Sequence, residues 1–144
     1  MANYLFPQGR VVSGDKDALE VVQKAAAAAG ALKVQIVAVS GAFHTSRMDP
    51  AADALKQVLE EVTFKEPRIP VYSNVTGQPF TDAASISGLL ARQLVEPVMW
   101  EGTVKSMIGT GKTSLYELGP GAQIKAMVKR IDGNVWKTVV NVQP

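Results

Sequence analysis

Cysteine is absent from the 144 residues, and histidine occurs once, at His44. The first absence excludes disulfides, thiolate catalysis and thiolate metal sites. The second excludes a histidine-based metal cluster, leaving carboxylates as the only candidate ligands, and no metal is expected. No apolar run approaches the roughly 20 residues of a membrane span, so no span is expected either. Charge of one sign is not in excess: 15 Lys and Arg face 13 Asp and Glu, for a net charge of +2, and the basic residues are scattered. A nucleic-acid stripe or a membrane-surface patch needs clustering, so nucleic acid is not an expected partner. The first residues show neither a basic segment followed by an apolar core nor an Arg-rich stretch, which argues against a secretory signal or a transit peptide. Either the protein stays where it is made, or Met1 is not the start of the original gene product. Met1-Ala2-Asn3-Tyr4-Leu5-Phe6-Pro7 reads as the interior of something longer.

What is present is core-forming material: 47% of residues are hydrophobic, in a chain of one domain's length. Residues 10–14 read as a short strand. Leu19, Val22, Ala25, Ala26 and Ala29 then fall at helical spacing, with Gly30 as a C-cap. Residues 32–39 are nearly continuous in apolar character, as a buried strand would be, and predict a β-α-β unit with a parallel crossover. Met48, Ala52, Leu55, Val58, Leu59 and Val62 mark one face of a second helix, with Asp49 and Pro50 in its first turn. Residues 71–75 read as a third strand. Asp82 caps a helix striped by Ile86, Leu89, Leu90, Gln93 and Leu94, and Pro97 interrupts it. Trp100, Val104, Met107 and Ile108 mark the next helix, residues 114–118 a strand, and Ile124, Val128 and Ile131 a last helix. Residues 136–142 read as a final strand. The alternation predicts an α/β fold with a mostly parallel sheet. Three or four core strands are few for an independent doubly wound domain, so the fold reads as incomplete.

The chain is organised around Val37-Ala38-Val39-Ser40-Gly41-Ala42-Phe43-His44-Thr45-Ser46-Arg47-Met48-Asp49-Pro50, a strand-to-helix turn carrying the only histidine. Open α/β sheets place their chemistry outside the carboxyl ends of strands, and histidine is the side chain that exchanges protons near neutral pH. The plain alternative is a histidine that closes a turn. Gln93, polar on an apolar stripe, either stitches its helix to a loop or faces a cleft. Asn74-Val75-Thr76 fits a glycosylation pattern, but Asn74 reads better as a side chain across the site, with a turn residue equally plausible. Ile108-Gly109-Thr110-Gly111-Lys112-Thr113 resembles the end of a phosphate-binding P-loop. It has Ser106 where the first glycine belongs and follows a helix, so it reads as a connecting loop. Glu117-Leu118-Gly119-Pro120-Gly121 offers backbone N–H groups to an anion or simply redirects the chain, and the second is favoured. No G-x-S-x-G nucleophile elbow occurs, so the histidine has no serine or cysteine of that type to activate.

In order and spacing, the blocks Val39-Ser40-Gly41-Ala42-Phe43-His44-Thr45 through Met48, Tyr72-Ser73-Asn74-Val75, Ala91-Arg92-Gln93-Leu94, Pro97-Val98 with Trp100, and Tyr116-Glu117-Leu118-Gly119-Pro120-Gly121 resemble the C-terminal half of the malonyl-CoA:acyl carrier protein transacylase family. The wording is nearest to the organelle-type enzymes. The opening, Asn3-Tyr4-Leu5 through Val12-Ser13-Gly14, resembles that family's smaller subdomain. The resemblance implies a hydrolase-like parallel-sheet core with an inserted ferredoxin-like subdomain, residues 1–37 being a remnant of the insert and 38–144 the C-terminal half of the core. It implies His44 as general base, with the main-chain carbonyl of Gln93 orienting the imidazole. Phe43 would narrow the pocket toward malonyl rather than methylmalonyl groups, and Asn74 would line the site.

The implied activity is ping-pong transfer of malonyl from coenzyme A to the phosphopantetheine thiol of acyl carrier protein in fatty acid biosynthesis. Malonyl-CoA and acyl carrier protein are the implied partners, with the coenzyme A thioester as substrate and no further cofactor. The implied location is the mitochondrial matrix or another organelle, otherwise the cytoplasm. The family's nucleophilic serine, the glutamine of its oxyanion hole and its carboxylate-binding arginine belong to a segment before these blocks. The 144 residues alone are therefore expected to be inactive. Two expectations of different class follow: the C-terminal part of an active transacylase, its sheet completed by another polypeptide or by self-association, or a silent structural subunit of a larger complex.

Overall fold

The computed structural model describes residues 1–112 and 114–143. The chain opens with an antiparallel hairpin, β1 (Asn3–Phe6) and β2 (Gly9–Val11). The Phe6 ring folds over the turn against Gly9, in the space a Cβ there would take, so any larger residue would displace the ring. The hairpin is tied to the body of the protein by backbone bonds on both sides of Val98, whose carbonyl accepts from Tyr4 N (2.9 Å) and whose N–H donates to Ala2 O (2.8 Å). Next comes α1 (Lys16–Ala28), ended by Gly30 at φ +89°, a left-handed C′ position that suits glycine. None of its residues is buried.

A short 3₁₀ turn (Ser46–Met48) leads into α2 (Asp49–Glu60), which packs on α3 (Ala83–Arg92). The expected cap is present: the Asp82 carboxylate accepts from Ser85 N at 2.7 Å. The helix α4 (Trp100–Gly109) precedes β3 (Leu115–Leu118), then α5 (Gln123–Ile131), a 3₁₀ turn (Val135–Thr138) and β4 (Val139–Val142), which pairs parallel with β3. Here the core is densest. Val104, Val128 and Val139 are buried, with Trp100, Ile108, Leu115, Ile124 and Ile131 packed against them.

The α/β class holds, but the expected sheet does not form as one piece. The described strands make two separate pairs, one antiparallel and one parallel. Residues 32–39 do not form a strand: they run without regular structure, with Leu32 fully exposed and Val39 67% exposed. The expected β-α-β unit is thus replaced by the antiparallel hairpin followed by α1. Residues 71–75 are likewise not a strand, and retain only an isolated bridge from Tyr72 to Pro79 before a turn at 74–76. A strand is a partnership of backbone donors and acceptors. An apolar segment with no neighbour to pair with has the composition of a central strand and none of its hydrogen bonds. Of residues 136–142, the first part is the 3₁₀ turn and only Val139–Val142 is strand.

Candidate active site

His44 stands apart before its chemistry is considered. It is the one non-glycine described residue with positive φ, at 63°. Such a conformation costs about 1–3 kcal/mol and persists where surroundings over-determine it. The surroundings here are the turn that ends α3. The His44 N–H donates to Leu94 O at 2.9 Å, and the ring nitrogen Nδ1 lies 2.8 Å from Gln93 O and 3.2 Å from Glu96 O. Carbonyl oxygens can only accept, so Nδ1 carries the proton. The neutral ring then presents Nε2 with a free lone pair, the form a general base needs.

The turn exists because α3 stops in order. Gln93 is its C-cap, Leu94 N and Gln93 N close on Ala91 O and Leu89 O, and Pro97 prevents continuation. Arg92 forks onto Glu96, Nε to Oε1 at 2.5 Å and Nη2 to Oε2 at 3.0 Å. That guanidinium holds the Glu96 carboxyl below its usual range. On the His44 side, Thr45 Oγ1 donates to Ala42 O (2.7 Å) and accepts from Arg47 N (3.3 Å), and Arg47 pairs with Asp15 at the start of α1.

Residues 2–135 match the acyl transferase domain family. The chain belongs to that acyl transferase family. It is 39% identical over 146 residues to the mouse protein named malonyl-CoA-acyl carrier protein transacylase, mitochondrial, covering 99% of this chain and 38% of that protein. Its structure superposes with a TM-score of 0.93 on an acyl-carrier-protein S-malonyltransferase from Burkholderia pseudomallei, at 34% identity over 99% of this chain and 46% of that one. A malonyl-transacylase solved in complex with its type II PKS acyl-carrier protein matches at a TM-score of 0.89 and 36% identity, over 99% of this chain and 45% of that chain. The acyl transferase chain thus spans less than half the length of the relatives it matches.

Within this acyl transferase chain, the structure brings the His44 ring onto the Gln93 carbonyl. Asn74 is exposed in a turn, and what it contributes is its carbonyl, which accepts from Met99 N at 2.7 Å. Phe43 is 37% exposed and lies beside Gly41, where an added Cβ would be 3.6 Å from the ring and 3.7 Å from Met48 Sδ. Two concavities of about 310 and 560 Å³ lie on either side of Pro79 and Thr81, and His44 lines neither. The glycine turn after β3 offers no vacant anion site. The buried Glu117 carboxylate already occupies the start of α5, accepting from Ile124 N (2.9 Å) and Lys125 N (3.2 Å). In the P-loop-like stretch, Gly111 takes φ +83° in the loop after α4, and Thr113 lies outside the described residues.

The sequence reading missed the carbonyls of Leu94 and Glu96. The available signal was Pro97, which marks a helix end whose free carbonyls need donors.

Proposed function

We propose that this chain supplies the histidine half of a malonyl transacylase site. The supporting observation is the 2.8 Å contact from His44 Nδ1 to Gln93 O, which leaves Nε2 free to take a proton. In this reading Nε2 removes the proton of a serine hydroxyl carried by a polypeptide segment other than these residues. The alkoxide adds to the malonyl thioester carbonyl, the tetrahedral adduct expels coenzyme A, and His44 returns the proton to its thiolate. Deacylation runs the same steps backward, with the phosphopantetheine thiol of acyl carrier protein as nucleophile. Phe43 narrows the acyl pocket and Asn74 lines the site. Residues 1–37 are the remnant of a ferredoxin-like subdomain and 38–144 the second half of a hydrolase-like core. The mitochondrial name of the mouse relative favours an organelle as the location.

The test is a malonyl-transfer assay from labelled malonyl-CoA to acyl carrier protein, run on the 144 residues alone and then with the complementing segment present. No turnover is expected from the first and measurable turnover from the second. Turnover from the residues alone overturns the division of labour. A complex that assembles with no turnover supports a second reading, a silent structural subunit; both readings need the exposed apolar face of β3 and β4 (Tyr116, Leu118, Val140 and Val142) to be covered.

A further inference from the structure

We propose that Arg92 and Glu96 are positioning residues for His44: their forked ion pair holds the turn after α3 closed and keeps the Glu96 carbonyl on the Nδ1 proton. The hydrogen bonds that fix His44 all run to residues 93–96, from its N–H to Leu94 O and from Nδ1 to Gln93 O and Glu96 O. Backbone bonds pin this segment at both ends. Upstream, Val95 N and Glu96 N close on Arg92 O at 3.1 and 2.9 Å. Downstream, Val98 is held between Ala2 and Tyr4, and Met99 N is held by Asn74 O.

Between these anchors, the direction of the Glu96 carbonyl depends on rotation about its own backbone. Pro97 narrows that rotation toward extended values. The side chain narrows it further. Both carboxylate oxygens are engaged by one planar guanidinium, at 2.5 and 3.0 Å, so the Glu96 side chain is fixed across the end of α3 at two points. Loss of the fork frees Glu96 to turn its carbonyl to water. Nδ1 then keeps only the Gln93 carbonyl, so the preference for the Nδ1-protonated ring rests on one acceptor in place of two and weakens. A lysine at position 92 keeps the charge but cannot fork.

His44 is the only histidine in the sequence, so its ring nitrogens give unambiguous resonances. The experiment compares imidazole ¹⁵N spectra of the ¹⁵N-labelled full chain, in its native assembly, with those of Arg92→Ala and Arg92→Lys, with circular dichroism to establish folding. The wild type should show one tautomer protonated on Nδ1. Arg92→Ala should move both ring shifts toward a mixture, and Arg92→Lys should fall between. A lost ion pair that matters only to stability would lower the melting temperature and leave the tautomer untouched. Folded variants with the wild-type spectrum, or a wild-type ring protonated on Nε2, overturn the proposal. Should Arg92→Ala fail to fold, Arg92→Lys decides alone.

In the assembled enzyme the same variants should lower kcat about two- to fivefold at unchanged KM, the range an exposed pair supports. That last effect rests on the transacylase reading, and the tautomer does not. A single Nδ1–H tautomer without malonyl transfer in the assembly would sink the reading and leave the positioning role standing.

Discussion

At the scale of single residues, His44 carries the argument, and only part of it was legible in advance. Its uniqueness and its place after a small-residue stretch pointed to it. The left-handed backbone and the three carbonyls of the opposing turn did not show in the sequence, because they arise from contact with residues about 50 positions away. In an active assembly, His44→Ala should lower turnover by roughly three or more orders of magnitude, as removal of a triad base does. Steady-state kinetics of malonyl transfer check this; turnover left intact would reduce His44 to a turn residue. In the proposed reading, where the ring narrows the acyl pocket and takes no proton, Phe43→Ser should act differently. It should raise the rate ratio of methylmalonyl to malonyl transfer and leave the pH profile unchanged, which a competition assay between the two thioesters reads directly.

At the scale of elements, the helices and the strand at Leu115–Leu118 are legible in the sequence, those at Gly9–Val11 and Val139–Val142 in part, and the two most apolar segments mislead. The helical stripes of α1 to α5, the Asp82 cap of α3 and the Gly30 end of α1 are local properties, written within about a dozen residues, and they appear where expected. Residues 32–39 and 71–75 were read as strands on composition, and composition records what a segment is suited to rather than whether a partner is at hand.

The caps themselves make testable elements. The native Asp82 carboxyl is held below its ordinary range, first by the Ser85 N–H and then by the Thr81 hydroxyl, and Asp132 likewise by the Val135 and Asn134 N–H groups. A lowered native pKa means that the contribution is complete above the ordinary carboxylate range. It is lost as pH falls through the native value. Helical signal and the amide protection of Ser85 should therefore persist down to about pH 4 and decline below it, at the lower end of carboxylate titration. Protection of Ser85 that is indifferent to acid would contradict the cap. Glu117 is a buried cap. Its carboxylate satisfies two N–H groups at the start of α5, so Glu117→Ala should destabilise by about 1–3 kcal/mol. Glu117→Gln, which keeps one acceptor, should cost less; urea denaturation of both variants measures the difference.

At the scale of the molecule, surface area decides what the elements leave open. A self-contained folded protein of 15.3 kDa exposes about 7,100 Å² by the usual scaling with mass. This one exposes 9696 Å². The excess of roughly 2,500 Å² on one partner is the size an obligate interface buries. Its position is consistent with that. The register pairs Tyr116 with Val140 and Leu118 with Val142, and all four are exposed on one face of the β3–β4 pair, with Leu118 at 78%. Parallel strands ordinarily have both faces covered, and here Val139 is buried on one side while nothing in the described residues covers the other. The unpaired residues 32–39 add a second apolar surface. Surfaces of this kind recruit another chain or aggregate. The chain should therefore not sediment as a stable monomer: at micromolar concentration it should self-associate or precipitate, and a polypeptide carrying the rest of the fold should convert it to a discrete complex of lower bound-dye fluorescence. Charged replacements on the open face, Leu118→Lys with Val140→Glu, should weaken that association while leaving the Val104–Val128–Val139 core untouched. A monodisperse wild-type monomer that unfolds cooperatively would show that these residues close a core unaided, and the half-domain reading would fall with it.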